Sequence, residues 1–342
     1  MLAPRRDGIL LTMKGEVGES MATAASLKQE VIDVSPLGES LPFGATVAGL
    51  TLAALADEAV RAALRDLWVD RGVLLFRGGE TSQAMHIALS RCFGDLEPHP
   101  FPESRQEGFP DLVKIKFYPE DGSYYDIEGD LRGGWLPWHS DLIYTHRINH
   151  GGILRPVELP ASGGETGFID QIAAYERLPV ALRERIAHLH VVYHVDVDMS
   201  LQPFVDQGSA RLVRMAASGT AIEKRKFTYP RVIHPMVYTQ AETGRKVLNV
   251  SPAFALGIYE DGTAAGDQLL REVVAICTDP ALSYFHAWQE GDMVLWDNWR
   301  TLHSARGVAI DQTRVMERTT IRGDYALGRP LGLDGPVADF DI

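Results

Sequence analysis

The period of the hydrophobic pattern changes along the chain. From Asp57 to Gly72 the apolar residues Val60, Leu64, Leu67 and Trp68 recur on one helical face, and Gly72 supplies the stop. Val73-Leu-Leu-Phe76 then reads as a short apolar strand. Ser82 to Phe93 reads as a second helix closed by Gly94, and Leu112 to Phe117 as a strand. Gly133-Gly-Trp-Leu-Pro-Trp-His139 has the chemistry of a loop running into a strand. Asp170 can cap a helix to Leu178, and Pro179 can open another to about His188. Ala241 to Arg245 reads as a hairpin turn, Gly266 to Cys277 as an amphipathic helix, and Met293 to Trp296 and Arg314 to Arg322 as strands. Short strands dominate the second half, with helices early and inserted. The expected fold is α+β with a mainly β core, an antiparallel barrel or jelly roll. No break in composition marks a second domain. Residues 29–342 read as one domain and 1–28 as a flexible tail, in which Met13 and Met21 are alternative starts.

Composition narrows the function. The 342 residues are 45% hydrophobic and 23% charged, which permits a large core. With 33 basic against 46 acidic residues the net charge is −13, which disfavours nucleic acid as a partner. No apolar run reaches the about 18 residues of a membrane span, and the apolar stretch at the start is too short for a secretory signal, so a cytoplasmic location is expected. Cys92 and Cys277 each fall in a predicted helix and read as buried thiols, not a disulfide framework.

The candidate chemistry starts at Trp138-His139-Ser140-Asp141. On a strand, positions i and i+2 share a side, so His139 and Asp141 would converge on one metal ion. A distant His303 would complete two histidines and one carboxylate on one face, the set that suits non-haem Fe(II) and leaves positions open. Two competitors exist. His194-Val-Asp196 lies in a segment, Ala187 to Asp198, that reads as an ordinary polar strand face. His234 is followed eleven residues later by Arg245, as His303 is by Arg314, but Arg245 sits in a predicted turn where a solvated arginine is expected. In the last strand Arg314, Met316, Arg318, Thr320 and Arg322 share one face. If Arg314 faces the interior so does Arg318, and interior guanidinium groups need anionic partners. Two anionic guests, a cosubstrate and a substrate, would satisfy them; solvation or pairing with Asp and Glu is the alternative.

At this point the chain resembles the TauD/TfdA family of taurine-type dioxygenases, over about Ile32 to Tyr325. The resemblance rests on Pro42-Phe-Gly-Ala-Thr-Val-Ala-Gly-Leu50, Gly72-Val-Leu-Leu-Phe-Arg77, Phe93-Gly-Asp-Leu96 with His99-Pro100, and Trp138-His-Ser-Asp141. Gly163-Gly-Glu-Thr166, His234-Pro with Thr243-Gly-Arg245, Trp296-Asp-Asn, His303, and Arg314-Val-Met-Glu-Arg318 follow in order. It implies a double-stranded β-helix (jelly roll, cupin-like) with flanking and inserted helices. It implies Fe(II) on His139, Asp141 and His303, with O₂ and 2-oxoglutarate as cosubstrates. Arg314 and Thr166 would hold the distal carboxylate of 2-oxoglutarate, Arg318 the substrate's acidic group, and His99 the substrate, while His234 would be structural. Copies would assemble as a dimer or tetramer.

Two departures point away from taurine. Pro102 stands where taurine enzymes carry a tyrosine, and Trp135 where they carry an asparagine. Both remove polar partners, so the expected substrate is a small anionic acid with an apolar or aromatic body, and Trp135 is a candidate wall or a plain core residue. The expected reaction hydroxylates a C–H bond and releases succinate and CO₂. A zinc hydrolase on the same ligands and a non-catalytic cupin-like binding barrel are the alternatives. Met199 to Tyr229 reads as a lid, and its charge run Glu223-Lys-Arg-Lys226 as solvated.

Overall fold

The computed structural model describes residues 31–332, except 100–104, 107, 206–209, 225, 227–228 and 325. The tail read at 1–28 and Pro102 lie outside the described residues. An eight-stranded sheet runs Asp33–Pro36, Ala45–Ala48, Val73–Arg77, Met293–Asp297, Gly151–Glu158, Arg314–Thr319, Phe109–Phe117, Arg105–Gln106. Its neighbours are antiparallel except Ala45–Ala48 beside Val73–Arg77. A four-stranded antiparallel sheet runs Ser283–His286, Thr166–Asp170, Thr301–Ala305, Leu136–His139.

The apolar run at 73–76 is explained by burial on both faces. Val73 and Leu75 pack inward with Leu154, Val294, Trp296 and Met316, and meet Phe168 of the smaller sheet. Leu74 and Phe76 point outward to Val60, Leu64, Trp68, Met85 and Leu89, from helices Glu58–Arg71 and Gln83–Arg91. The smaller sheet is covered likewise: Ile169 and Leu302 face Leu182, Leu270 and Val273, from helices Val180–Ile186 and Ala264–Cys277. Helices therefore cover the outer face of each sheet. Each large side chain buried there contributes about 2–3 kcal/mol. Among the described residues no helix is long and apolar enough to cross a membrane.

Several helix ends follow from caps. Asp57, Ser82 and Asp170 accept backbone N–H groups at three N-termini. Gly72 sits at φ 73°, and a Cβ there would meet Arg300 Nε at 3.0 Å. Arg300 is buried, pairs with Asp170, and donates to the carbonyls of Val69 and Asp70. Arg245 joins it on Val69 O at 3.0 Å, so it is docked on a helix C-terminus and not solvated as its turn position predicts. The helix from Pro179 stops at Ile186, and the polar stretch after it forms a strand only at His190–Tyr193. Cys92 and Cys277 are buried and free, as expected.

The strand from Arg314 is shorter than the pattern predicts: it ends at Thr319, and Arg322 is exposed beside Glu97. Within Met199 to Tyr229, Arg211–Arg214 pairs with Tyr124–Ile127, and Ala217–Glu223 is a helix. Lys226 departs from the solvated reading, because it is bound to both Asp196 and Glu223.

Candidate metal and anion site

His139 ends its strand, and His303 is its Cα partner across the antiparallel pair. Both imidazoles face the space between the sheets, 4.0 Å apart between ring centroids. His139 Nδ1 lies 2.8 Å from Pro137 O, which makes Nδ1 the protonated nitrogen and leaves the Nε2 lone pair facing inward. Asp141 arrives differently from the strand argument. The strand stops at His139, and the chain turns so that Leu142 takes φ 56°. What fixes Asp141 is Asn298: its Oδ1 accepts Asp141 N–H at 2.8 Å, and its Nδ2 donates to Asp141 O at 3.0 Å. Asn298 is buried and also donates to Asn149.

The outcome is convergence. Asp141 Oδ1 lies 3.8 Å from His139 Nε2 and 3.7 Å from His303 Nε2, and the three ligand atoms all fall within 4.8 Å of one another. Ligands about 2.1 Å from one ion and at right angles to each other lie about 3 Å apart. The donor set therefore fits an ion with small inward adjustments, and three donors on one side leave the rest of its coordination sphere open. The competing histidines do not converge on a metal. His234 Nε2 is 2.8 Å from Thr145 O and the residue is fully buried, a structural role. His194 Nε2 is 3.2 Å from Tyr229 O, and Asp196 takes Lys226.

Electrostatics suit the same role. Burial, helped by the neighbouring His303, pushes the His139 imidazole down to about 3, so it is neutral near pH 7. Burial would raise the Asp141 carboxyl, but Arg318 and His303 outweigh it and hold it well below the usual carboxylate range. Arg318 Nη1 donates to Asp141 Oδ2 at 2.6 Å, while its buried Nε has no partner.

Arg314 and Arg318 do share the inward face. Glu317 between them faces out to Arg155 at 2.6 Å, and Thr319 faces out to Ser90 at 2.7 Å. Arg314 is 8% exposed, and among the described residues it has no carboxylate within ion-pair distance. Burial pulls its guanidinium down to about 10, only partly offset by Glu165. Its contact is Thr166 Oγ1, 3.4 Å from Nη2. The double glycine before Thr166 makes room for it: a Cβ on Gly164, at φ 77°, would meet Arg314 Cδ at 3.0 Å.

A cavity of about 90 Å³ joins His139, Asp141, His303, Thr166, Arg314 and Arg318. Its apolar wall is Ile115, Leu136, Leu154, Phe168, Trp296 and Ala305. Two sequence-predicted contacts are not among the residues lining it. Trp135 is buried edge-on against Tyr125, 5.0 Å between centroids, in the larger core. His99 is half-buried, with its carbonyl accepting Arg105 Nε at 2.7 Å. Sequence reasoning in turn gave no contact to Trp288, Asn298 or the wall residues, although Trp296-Asp-Asn298 stood out as a motif.

Asp297 points away from the site, into a second cavity of about 300 Å³ with His150, Glu242 and Asp324. Burial raises its carboxyl to about 7, with Arg300 pulling the other way. Folded Asp297 keeps a proton that an unfolded aspartate has lost above about pH 4. Stability should therefore fall as pH rises from about 4 through 7, by up to about 1 kcal/mol per pH unit. Urea unfolding at pH 5, 6 and 7 should show a flatter slope for Asp297→Asn than for the parent.

Comparison with known proteins agrees with this geometry. The family model described as "Taurine catabolism dioxygenase TauD, TfdA family" matches residues 33–320. The "(S)-phenoxypropionate/alpha-ketoglutarate-dioxygenase" of Sphingobium herbicidovorans is 30% identical over 301 residues, 86% of this chain and 96% of the relative. "Pentalenolactone F synthase" of Streptomyces arenae is 28% identical over 292 residues, 84% of this chain and 94% of the relative. Among solved structures, a putative alpha-ketoglutarate-dependent taurine dioxygenase from Burkholderia xenovorans superposes with a TM-score of 0.65 at 27% identity, covering 89% of this chain and 96% of that one. These matches displace the zinc-hydrolase and non-catalytic readings. The chain belongs to the TauD/TfdA family and is a dioxygenase of the EC 1.14.11 class, dependent on Fe(II), 2-oxoglutarate and O₂.

Proposed function

We propose that this enzyme hydroxylates a C–H bond of a small anionic acid with an apolar or aromatic body, releasing succinate and CO₂. In this reading His139, Asp141 and His303 hold Fe(II), Thr166 and Arg314 hold the distal carboxylate of 2-oxoglutarate, and Arg318 holds the acidic group of the substrate. The observation that carries it is Arg314: a buried guanidinium without a carboxylate partner among the described residues, in the same cavity as three convergent ligands. A planar guanidinium with free N–H groups matches a carboxylate guest.

Iron, 2-oxoglutarate and O₂ together supply the oxidising power for the insertion of oxygen into a C–H bond. The chain's own residues do the positioning. Neutral His139 offers Nε2 without proton loss, and Asn298 holds Asp141 from both sides of its backbone. Arg318 commits one N–H to Asp141 and keeps Nε for a guest. Leu136, Leu154, Phe168 and Trp296 exclude water from the reacting carbon and favour an apolar body. Trp135 enters the proposal through its neighbour Leu136, and His99 as a contact at the chain leading into residues 100–104. The facing sheets support the double-stranded β-helix reading, with residues 29–342 as one domain. A cytoplasmic dimer or tetramer belongs to the same proposal, and sedimentation would count the copies.

The test is succinate formation by Fe(II)-reconstituted protein across aryl and alkyl carboxylates and sulfonates. At least one acid should stimulate turnover in the parent, with none in His139→Ala. Arg318→Ala should lose the stimulation, at least about tenfold, while substrate-free 2-oxoglutarate consumption continues. Stimulation that survives in Arg318→Ala would remove that residue from the substrate anion. A parent stimulated only by neutral compounds would overturn the acidic substrate.

A further inference from the structure

Thr166 Oγ1 receives two N–H donors: Trp288 Nε1 at 3.0 Å and Arg314 Nη2 at 3.4 Å. A hydroxyl has two lone pairs and one proton, and neither an indole N–H nor a guanidinium can accept. Both lone pairs are therefore taken, and the hydroxyl proton can only be donated. Thr166 lines the cavity beside Arg314, so that proton is available there. Trp288 is itself braced. Its ring stands perpendicular to His286 at 4.6 Å, and His286 Nε2 is 3.0 Å from Asp292 Oδ2. Asp292 accepts Arg77 Nε and Nη2, both at 2.7 Å, and Gln289 N–H at 3.0 Å. Tyr284 OH lies 2.9 Å from the other nitrogen of His286. His286 and Asp292 are each 1% exposed, so this pair is shielded from solvent, while Arg77 reaches it from the surface.

We infer that Trp288 is a positioning residue for the cosubstrate: its indole N–H fixes Thr166 as a hydrogen-bond donor to the anion that Arg314 holds, and the Arg77–Asp292–His286 chain fixes the indole. The inference rests on the reading of Thr166 and Arg314 as the cosubstrate's carboxylate site. Without the indole N–H one lone pair of Thr166 is freed. The hydroxyl can then turn and present that lone pair to the carboxylate, replacing attraction by repulsion. The sequence offered no sign of this, because Trp288 and Thr166 meet only through sheet pairing of Ser283–His286 with Thr166–Asp170.

The experiment measures 2-oxoglutarate binding to Mn(II)-loaded protein by calorimetry, beside steady-state turnover. Trp288→Phe keeps the ring and removes the donor. It should raise Kd and KM for 2-oxoglutarate about tenfold, the usual effect of one hydrogen bond to a charged group, with kcat and metal affinity little changed. In a Thr166→Ala background the same substitution should change Kd less than about twofold, because there is no hydroxyl left to orient. A packing role would cost the same in both backgrounds, and that result would overturn the inference. If Trp288→Phe does not fold, benzothienylalanine at 288 replaces N–H by sulfur at the same shape and takes its place. Arg314→Met separates the two claims. If it retains full 2-oxoglutarate affinity, the cosubstrate site is misassigned. If it loses affinity while Trp288→Phe keeps it, only the role of Trp288 falls.

Discussion

Arg314→Met should give a protein that is more stable than the parent and no longer binds 2-oxoglutarate. The two effects share one cause. Arg314 is buried in an apolar cleft with one long contact to Thr166, and burial has drawn its guanidinium down to about 10. A charge held this way raises the energy of the ligand-free fold. Methionine fills similar volume without it, so the ligand-free protein should gain about 1–3 kcal/mol, visible as a higher Tm. Removing one partner of a buried charge pair costs about 2–5 kcal/mol in binding, so Kd for 2-oxoglutarate should rise on the order of a hundredfold or more. Melting curves and calorimetry on the same preparation check both. A variant that is less stable, or that binds 2-oxoglutarate as the parent does, would contradict the account of Arg314.

Asp141→Asn should lose on both counts. Turnover should fall at least about a thousandfold, because under the proposed ligation the site loses its carboxylate ligand. Stability of the metal-free protein should also fall, by about 3 kcal/mol. The reason is Arg318, 6% exposed, whose charge is matched by Asp141 at 2.6 Å. Replacing that carboxylate leaves a buried cation uncompensated. Adding Arg318→Met to Asp141→Asn should then restore the melting temperature without restoring turnover. A double variant that melts no higher than Asp141→Asn would show that Arg318 is not the source of the penalty. The contrast between the arginines is instructive: Arg318 has a carboxylate beside it in the ligand-free fold and Arg314, among the described residues, has none.

How much of this could be read beforehand depended on the range of the interaction. The helix from Asp57 to Gly72 was legible because its cap, apolar stripe and stop are all local. The inward face of Arg314 and Arg318 was legible because a strand alternates strictly, although the strand ends at Thr319. Strand alternation points to the convergence of His139, Asp141 and His303 for a reason only half correct, since Asp141 comes in on a turn held by Asn298. The turn at Leu142 needs a left-handed backbone, for which leucine gives no signal. Trp288, Asn298 and the docking of Arg245 depend on partners remote in sequence. No local period encodes such contacts. Trp135 shows the converse: an aromatic beside a ligand strand is a plausible wall, yet it packs into the core against Tyr125.

The direct opposition of His139 and His303 has a consequence for how the protein acquires its metal. The pairing of their strands, in which His303 is opposite His139 just before an irregularity in register, sets the span between two donors that no local segment could set. A slip of one residue would turn either imidazole to the far side and abolish the chelate. Under the proposed ligation, each ion captured is therefore a vote for the native register, cast only after remote parts of the chain have met. At a hundredfold excess over its Kd such a ligand adds about 2.7 kcal/mol to the folded state. Under the same ligation, removal of the ion should both stop turnover and lower the stability of this strand alignment.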